Sequence, residues 1–307
     1  MTLPDRAGLR TEQRNPRSMR LDTLTVEECV ALINEEDATV PAAVARAAPA
    51  LSAFIHDAVR ALRAGGRLIY IGAGTSGRLG VLDAAECPPT FQTDPNTVVA
   101  IIAGGDSALR TSSESKEDDP HAPGAELDAI NINERDILLG VAAGGTTPYV
   151  RAAIAHAKSR GARAGILACT PIDPPPGADH TIIIETGPEV LTGSTRMKAG
   201  TATKLALNTI STTCMVQLGK AHENLMVDLR ATNDKLRDRA ARIITELTGA
   251  PRAAALELLD RAGNDVKTAV VMRARDTDAT RARALLDRHR GVLRDALDDG
   301  AQRQQQQ

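Results

Sequence analysis

Tryptophan is absent from this 307-residue chain, and two tyrosines and two phenylalanines are its whole aromatic complement. Base stacking and aromatic carbohydrate platforms are thereby set aside, so a sugar would have to be gripped by hydrogen bonds. A basic excess is lacking too. The 37 lysines and arginines face 39 acids, a formal net charge of −2 that offers nucleic acid no electrostatic footprint. The four cysteines, Cys29, Cys87, Cys169 and Cys214, have no C-x-x-C spacing and read as reduced, buried thiols rather than metal ligands or disulfides. The six histidines form no H-x-x-x-H or H-E-x-x-H pair, so no catalytic metal is expected. Neither a signal-peptide core nor an apolar run near the ~18 residues of a membrane span is present, and the expectation is a cytoplasmic protein without membrane contact.

What remains is an ordinary balance, 42% hydrophobic and 25% charged, long enough for one large domain with appendages. Residues 1–20 are polar and without periodicity, either a disordered arm or one that packs on a neighbouring surface. Helical spacing covers 26–34 and, as one longer segment, 40–62. Five short apolar runs follow at 68–71, 98–103, 137–142, 164–169 and 181–184, each separated by a helix-length segment. Continuous rather than alternating hydrophobicity means strands buried on both faces, hence a parallel sheet covered by helices. The expected fold is α/β, three layers around a five-stranded parallel sheet in the order 2-1-3-4-5, whose switch point lies between strands one and three. From Asn233 to Leu297 helical spacing is cut by Gly249-Ala250-Pro251, Gly263-Asn264-Asp265 and Asp276-Thr277-Asp278, which predicts a small helical subdomain. The glutamines at 304–307 read as a disordered tail. The expected division is 1–59 (arm and helices), 60–223 (the sheet domain) and 224–307 (the helical subdomain and tail).

The first strand runs into Gly72-Ala73-Gly74-Thr75-Ser76-Gly77-Arg78-Leu79-Gly80. Glycines permit close backbone approach, the amides of the new helix face an anion, and Thr75 and Ser76 add hydroxyls suited to a phosphate monoester. The same pattern is G-x-G-x-x-G, a dinucleotide fingerprint, and Asp106 after the second strand would suit the ribose of a nicotinamide cofactor. The third strand delivers Gly144-Gly145-Thr146-Thr147 to the same crevice, and this second hydroxyl-rich loop favours a phosphosugar over a nucleotide. Past the fifth strand, Thr192 or Ser194 is a natural N-cap for a helix reaching about Leu218. Arg196 and Lys198 in its first turn oppose the helix dipole, a conflict that an anion nearby would resolve. Between strands one and two, Pro88 should end the helix opened by the first loop. Glu86 would then stand at its end, where the dipole disfavours the carboxylate and suits a general acid. Glu117 lies in an acidic run after the second strand.

These segments resemble the N-acetylmuramic acid 6-phosphate etherases, which are built on the sugar isomerase (SIS) domain. The likeness runs through Thr11-Glu12-Gln13-Arg14-Asn15-Pro16, the first glycine loop, Asp83-Ala84-Ala85-Glu86-Cys87-Pro88-Pro89-Thr90, Ile102-Ala103-Gly104-Gly105, Thr192-Gly193-Ser194-Thr195-Arg196-Met197-Lys198-Ala199-Gly200-Thr201 and Asn224-Leu225-Met226-Val227-Asp228. It spans nearly the whole chain. By that resemblance Glu86 falls on the family's proton donor and Glu117 on its second essential glutamate. Gly74, Thr75, Ser76, Gly77, Gly145, Thr146, Thr147, Ser194, Arg196 and Lys198 fall around the phosphosugar. It further implies a cofactor-free cytoplasmic homodimer that recycles cell-wall sugar, with residues 12–15 packed near the mouth of the site. One departure is plain: where the family usually has Ala-Ser-Gly-Arg-Thr, this chain has Ala143-Gly144-Gly145-Thr146-Thr147, leaving backbone amides and two threonine hydroxyls to hold the anion. Related SIS proteins are sugar-phosphate-sensing regulators or phosphosugar isomerases, and these are the alternative readings. Two glutamates in place, and only about 60 residues before the sheet, argue against a regulator.

Overall fold

In the computed structural model the described residues are 7–111, 114–229, 231 and 233–299. The glutamine tail expected at 304–307 lies outside them, as does the very start of the arm. The rest of the arm is ordered as three short 3-10 turns, Arg10–Glu12, Pro16–Ser18 and Leu21–Thr23. Then come α1 (Val26–Asp37), α2 (Val40–Arg46), α3 (Ala48–Arg63), β1 (Leu68–Gly72), α4 (Gly74–Phe91) and β2 (Val98–Ile102). They are followed by α5 (Glu114–Glu117), α6 (Ala122–Ala129), β3 (Ile137–Val141), α7 (Pro148–Ser159), β4 (Arg163–Ala168), β5 (His180–Ile183) and α8 (Lys198–Gln217). The last five are α9 (Asp234–Thr248), α10 (Arg252–Arg261), α11 (Val266–Ala274), α12 (Ala279–Arg288) and α13 (Leu293–Asp298). Among the described residues no single helix is long and apolar enough to cross a membrane.

Contacts divide the chain into two compact units, Met1–Ala85 with Pro95–Ser211, and Glu86–Asp94 with Thr212–Gln307. The first holds the sheet, all parallel, in the order β2-β1-β3-β4-β5 that the buried runs imply. β1 and β3 are fully buried throughout, which is why their sequences show no alternation. One face of the sheet packs Ile69, Ile71, Leu138 and Ile166 against Tyr149, Val150, Ala153 and Ile154 of α7. Polar anchors index helices to strands. The buried Asp83 of α4 accepts from Tyr70 Oη of β1 (3.0 Å), Asn208 Nδ2 of α8 (2.7 Å) and Ser211 Oγ of α8 (3.1 Å). Asp136, just before β3, accepts from the Arg67 backbone N–H at 2.9 Å and from its guanidinium at 2.6 Å.

The second unit is a helical cluster built on Ile243, Ile244, Leu258, Leu259, Val270, Val271 and Leu286. Its breaks follow local chemistry: Gly249 closes α9 in the left-handed region (φ +68°), and Asp265 and Asp278 cap α11 and α12. A further break at Gly291, which opens the way to α13, goes beyond the three expected from sequence.

Two helical expectations are corrected. The segment 40–62 is two helices, not one, because Pro49 has no N–H to continue the ladder and its ring crowds the carbonyl one turn back. Conversely α4 does not stop at Pro88: it continues through Pro88 and Pro89 to Phe91. Gln92 N–H closes its last turn onto the Pro88 carbonyl at 2.9 Å, and Cys87 and Phe91 are buried at 2% and 8% exposure. Glu86 is therefore not the terminal residue of its helix, and the dipole argument made for it from sequence loses its ground.

No disulfide joins the four cysteines, and Cys87, Cys169 and Cys214 are buried while Cys29 is half-buried. Burial pushes the Cys169 thiol up to about 12, only partly offset by its contact with Thr203. A neutral disulfide reagent should thus titrate one thiol, Cys29, in the native protein and all four in denaturant. A second fast-reacting thiol before unfolding would contradict the packing.

Candidate functional site

The site is set by how closely β1 and β3 approach at their carboxyl ends. A Cβ at Gly72 would stand 2.9 Å from the Gly77 nitrogen and 3.1 Å from the Val141 carbonyl oxygen, and one at Gly77 would stand 2.6 Å from Ile102 Cγ1. The chain can turn from β1 straight into α4 only because both positions lack side chains, with Gly74 supplying φ +50° at the helix start. The first helical bond runs from Gly77 N–H to Ala73 C=O (3.1 Å), so Gly77 contributes space rather than a donor. Gly74, Thr75 and Ser76 fall in the opening turn, where the N–H groups of a helix have no intrahelical partner and an anion is favoured. Thr75 and Ser76 are half-buried, and their hydroxyls take no protein partner among the described residues.

The second loop sits on the adjacent strand. Gly145 N–H is held by Ala142 C=O (2.8 Å), and Arg151 Nη1 of α7 donates to the Gly145 carbonyl at 3.1 Å, which fixes the loop from behind. Thr146 is exposed and Thr147, half-buried, precedes Pro148 at the start of α7. Gly200 of α8 brings a third loop in: a Cβ there would lie 3.5 Å from Thr75 Cγ2 and 3.5 Å from the Thr195 carbonyl. The first unit thus brings Gly74, Thr75, Ser76, Gly145, Thr146 and Thr147 to the carboxyl ends of the adjacent strands β1 and β3, and sets the segment holding Ser194 and Arg196 at the start of α8, whose Gly200 stands against Thr75. Arg196 is exposed and makes no ion pair among the described residues. Glu117 is half-buried at the end of α5, which packs on α7, the helix the second loop opens. Glu86 is exposed on α4 in the segment grouped with the second unit.

Lys198 is a different case. It is 3% exposed, and its Nζ sits 2.6 Å from Glu36 Oε2. The start of α8 is capped neither by Thr192 nor by Ser194: the buried Glu189 accepts from the backbone N–H of Lys198 and of Ala199, each at 2.9 Å. The anion needed beside a cation at a helix N-terminus is supplied by two carboxylates of the chain itself. Burial pushes the Glu189 carboxyl up, against the pull of its two backbone donors. Burial works the same way on Glu36, but the hydrogen bond and charge of Lys198, with Asn15 and Arg17, bring it below the ordinary carboxylate value. Sequence reading missed both glutamates. The only hint was a basic residue in the first turn of a helix, which demands a partner but does not say where the partner is.

The arm lies over these loops. Leu9 Cδ1 would be 3.6 Å from a Cβ at Gly144, and Glu12 Oε2 is 3.2 Å from one at Gly193. Arg10 N–H donates to Thr170 Oγ1 (3.2 Å), and its guanidinium pairs with Glu185 at 2.9 Å. Of the two alternatives for the arm, packing is the one realised.

Comparison with known proteins adds kinship to this geometry. Residues 50–158 match the family model described as the glucokinase regulatory protein N-terminal SIS domain. A protein of Crocosphaera subtropica named N-acetylmuramic acid 6-phosphate etherase is 52% identical over 299 residues, covering 97% of this chain and 98% of its own. One from Bacillus licheniformis named N-acetylmuramic acid 6-phosphate etherase 1 is 47% identical over 291 residues, covering 94% and 96%. Among solved structures, a phosphoheptose isomerase from Francisella tularensis superposes with a TM-score of 0.49 at 16% identity, over 63% of this chain and all of its own.

If the loops hold a phosphate monoester, Ser76→Ala and Thr147→Ala should each weaken binding of a hexosamine 6-phosphate roughly tenfold, the size of one lost hydrogen bond to a charged group. Calorimetric titration checks this, with melting temperatures kept near the parent's. Unchanged affinity in both variants would place the phosphate elsewhere.

Proposed function

The chain belongs to the N-acetylmuramic acid 6-phosphate etherases, and from that premise we infer that it releases D-lactate from the C3 ether of its phosphosugar by elimination followed by hydration. The observation that carries the reading at the site is the pairing of two hydroxyl-bearing glycine loops on the adjacent strands β1 and β3, whose hydroxyls take no partner among the described residues. The phosphate is held by the amides and hydroxyls of Gly74, Thr75 and Ser76, by the Gly145, Thr146 and Thr147 loop, and by Ser194 and Arg196. Lys198 serves from behind, through Glu36.

Direct cleavage of an ether is slow, whereas the ring-opened aldehyde makes the C2 proton acidic. Glu117 takes that proton, the C3–O bond breaks with its electron pair going to lactate oxygen, and Glu86 gives that oxygen its proton. An unsaturated aldehyde remains. Water then adds at C3: Glu86, now a carboxylate, takes a proton from the water, and Glu117 returns one to C2. One water is consumed, and the products are N-acetylglucosamine 6-phosphate and D-lactate. Each proton transfer by a positioned carboxyl contributes about 10²–10⁴-fold. Two carboxyl groups of opposite duty suffice for the sequence, without metal or nucleotide.

The protein is read as a cytoplasmic homodimer. Four cysteines outside any disulfide suit a reducing compartment. Val26 and Val30, one turn apart on α1, are 75% and 53% exposed, an apolar pair fit for a second copy. Sedimentation should give a dimer at micromolar concentration, and Val26→Asp with Val30→Asp should shift it towards monomer. A monomeric parent protein would refute this part.

Incubated with N-acetylmuramic acid 6-phosphate, without added metal or NAD, the protein should release lactate; an isomerase or a regulator would not. In deuterated water, Glu86→Gln should lose lactate release yet keep some deuterium incorporation at C2, whereas Glu117→Gln should lose both. The opposite pattern would exchange the two roles, and lactate release at the parent rate in both variants would remove the glutamates from the mechanism.

A further inference from the structure

The mechanism leaves unused a buried polar cluster in the first unit, centred on Glu36 at the end of α1. Glu36 is 6% exposed and accepts from three side chains on two separate pieces of chain. Lys198 Nζ reaches its Oε2 at 2.6 Å from the first turn of α8. Asn15 Nδ2 reaches the same oxygen at 2.9 Å from the arm, and Arg17 Nη1 reaches Oε1 at 2.9 Å. Asn15, itself 4% exposed, also lies 3.4 Å from the Pro188 carbonyl and accepts from Arg17 N–H at 2.9 Å. Arg17 extends the pairing to Glu35. One step away, Glu189 holds the first two amides of α8, and the turn they begin carries Gly200 against Thr75.

A carboxylate so deeply buried is stable only with its partners in place, and removing one strands the others in a low-dielectric interior. The cluster therefore behaves as a unit. Its members are the same residues that end the covering stretch of arm and begin the helix next to the phosphate cradle. Leu9 rests by Gly144 and Glu12 by Gly193, so whatever fixes Asn15 and Arg17 also fixes a cover over two of the three loops.

We infer that Glu36 is a positioning residue for the phosphosugar site, latching the arm across the carboxyl ends of β3 to β5 and setting the first turn of α8 against Thr75 with the same carboxylate. The inference rests on the phosphosugar reading. It assigns Lys198 to the latch rather than to the substrate, and it makes the segment from Leu9 to Arg17 a strap that must be closed for the sugar to be gripped and loosened for it to leave. The hydroxyls and amides that touch phosphate are unchanged when the latch fails. What is lost is their fixed spacing and the cover above them.

Limited trypsin digestion and steady-state kinetics of Glu36→Gln and Asn15→Ala test it together. Trypsin needs a locally opened segment, so cleavage between Arg10 and Arg20 reports strap opening. Both variants should be cut there about tenfold faster than the parent, and their KM should rise about tenfold with kcat within about threefold, the signature of lost substrate grip rather than lost chemistry. Saturating N-acetylglucosamine 6-phosphate should protect the strap in the parent. Asn15→Ala leaves the Glu36 to Lys198 pair intact, so it keeps the test readable if Glu36→Gln folds poorly. A faster-cut strap with unchanged KM, an unchanged cleavage rate in Asn15→Ala, or a parent strap that phosphosugar does not protect would overturn the inference. Absence of lactate release by the parent would instead count against the etherase chemistry, since the protection assay uses product and needs no turnover.

Discussion

Backbone passes backbone at the end of β1 with no room for a side chain, and much else in the first unit follows from that contact. Gly72 and Gly77 let α4 leave the sheet within van der Waals reach of Val141 at the end of β3. A larger residue at either position would push the helix start away from the neighbouring strand and separate the two hydroxyl loops. Because the strands are parallel and in register from Leu68 with Ile137 to Gly72 with Val141, the two loops leave at the same height. The crevice is a consequence of the topology, as ligand sites at switch points of doubly wound sheets generally are.

Around that contact, buried carboxylates do the indexing. Asp83 ties α4 to β1 and α8, Asp136 ties the chain before β1 to that before β3, and Glu36 and Glu189 set the start of α8. Each is fully engaged by donors, as burial of a charge requires. Such groups add little net stability over an apolar substitute but make misplacement costly, which suits a site needing spacing held to fractions of an ångström. The two glycine loops, by contrast, carry the hydroxyls of Thr75, Ser76, Thr146 and Thr147, which take no protein partner among the described residues.

The third-strand loop keeps its shape by backbone bonding rather than by side chains of its own. With glycines at 144 and 145, the loop is held by its own backbone and by Arg151 from α7, not by a serine and an arginine of its own. An anion cradle made of amides depends on backbone conformation, and that is set by strand pairing and the helix start. The threonine hydroxyls at 146 and 147 add donors where the chain first becomes exposed.

The sequence by itself determined the sheet, its order, the two glycine loops and the capped breaks between the C-terminal helices up to α12. Each of these is written in residues a few positions apart: a continuous apolar run, a glycine beside a hydroxyl, an aspartate one turn before its amide. Tertiary structure decided where Lys198 goes, because its partner lies 162 positions away. It also decided that Glu189, nine positions upstream, caps α8 in place of the nearer Thr192 and Ser194. α4 runs through two prolines because burial of Cys87 and Phe91 outweighs the missing helical bonds, and no local propensity foretells that. The arm, which has no periodicity to read, takes its shape from Thr170, Glu185 and Glu36. A one-dimensional pattern records what a residue prefers among its neighbours, whereas the partner of a buried charge is chosen by the folded chain as a whole.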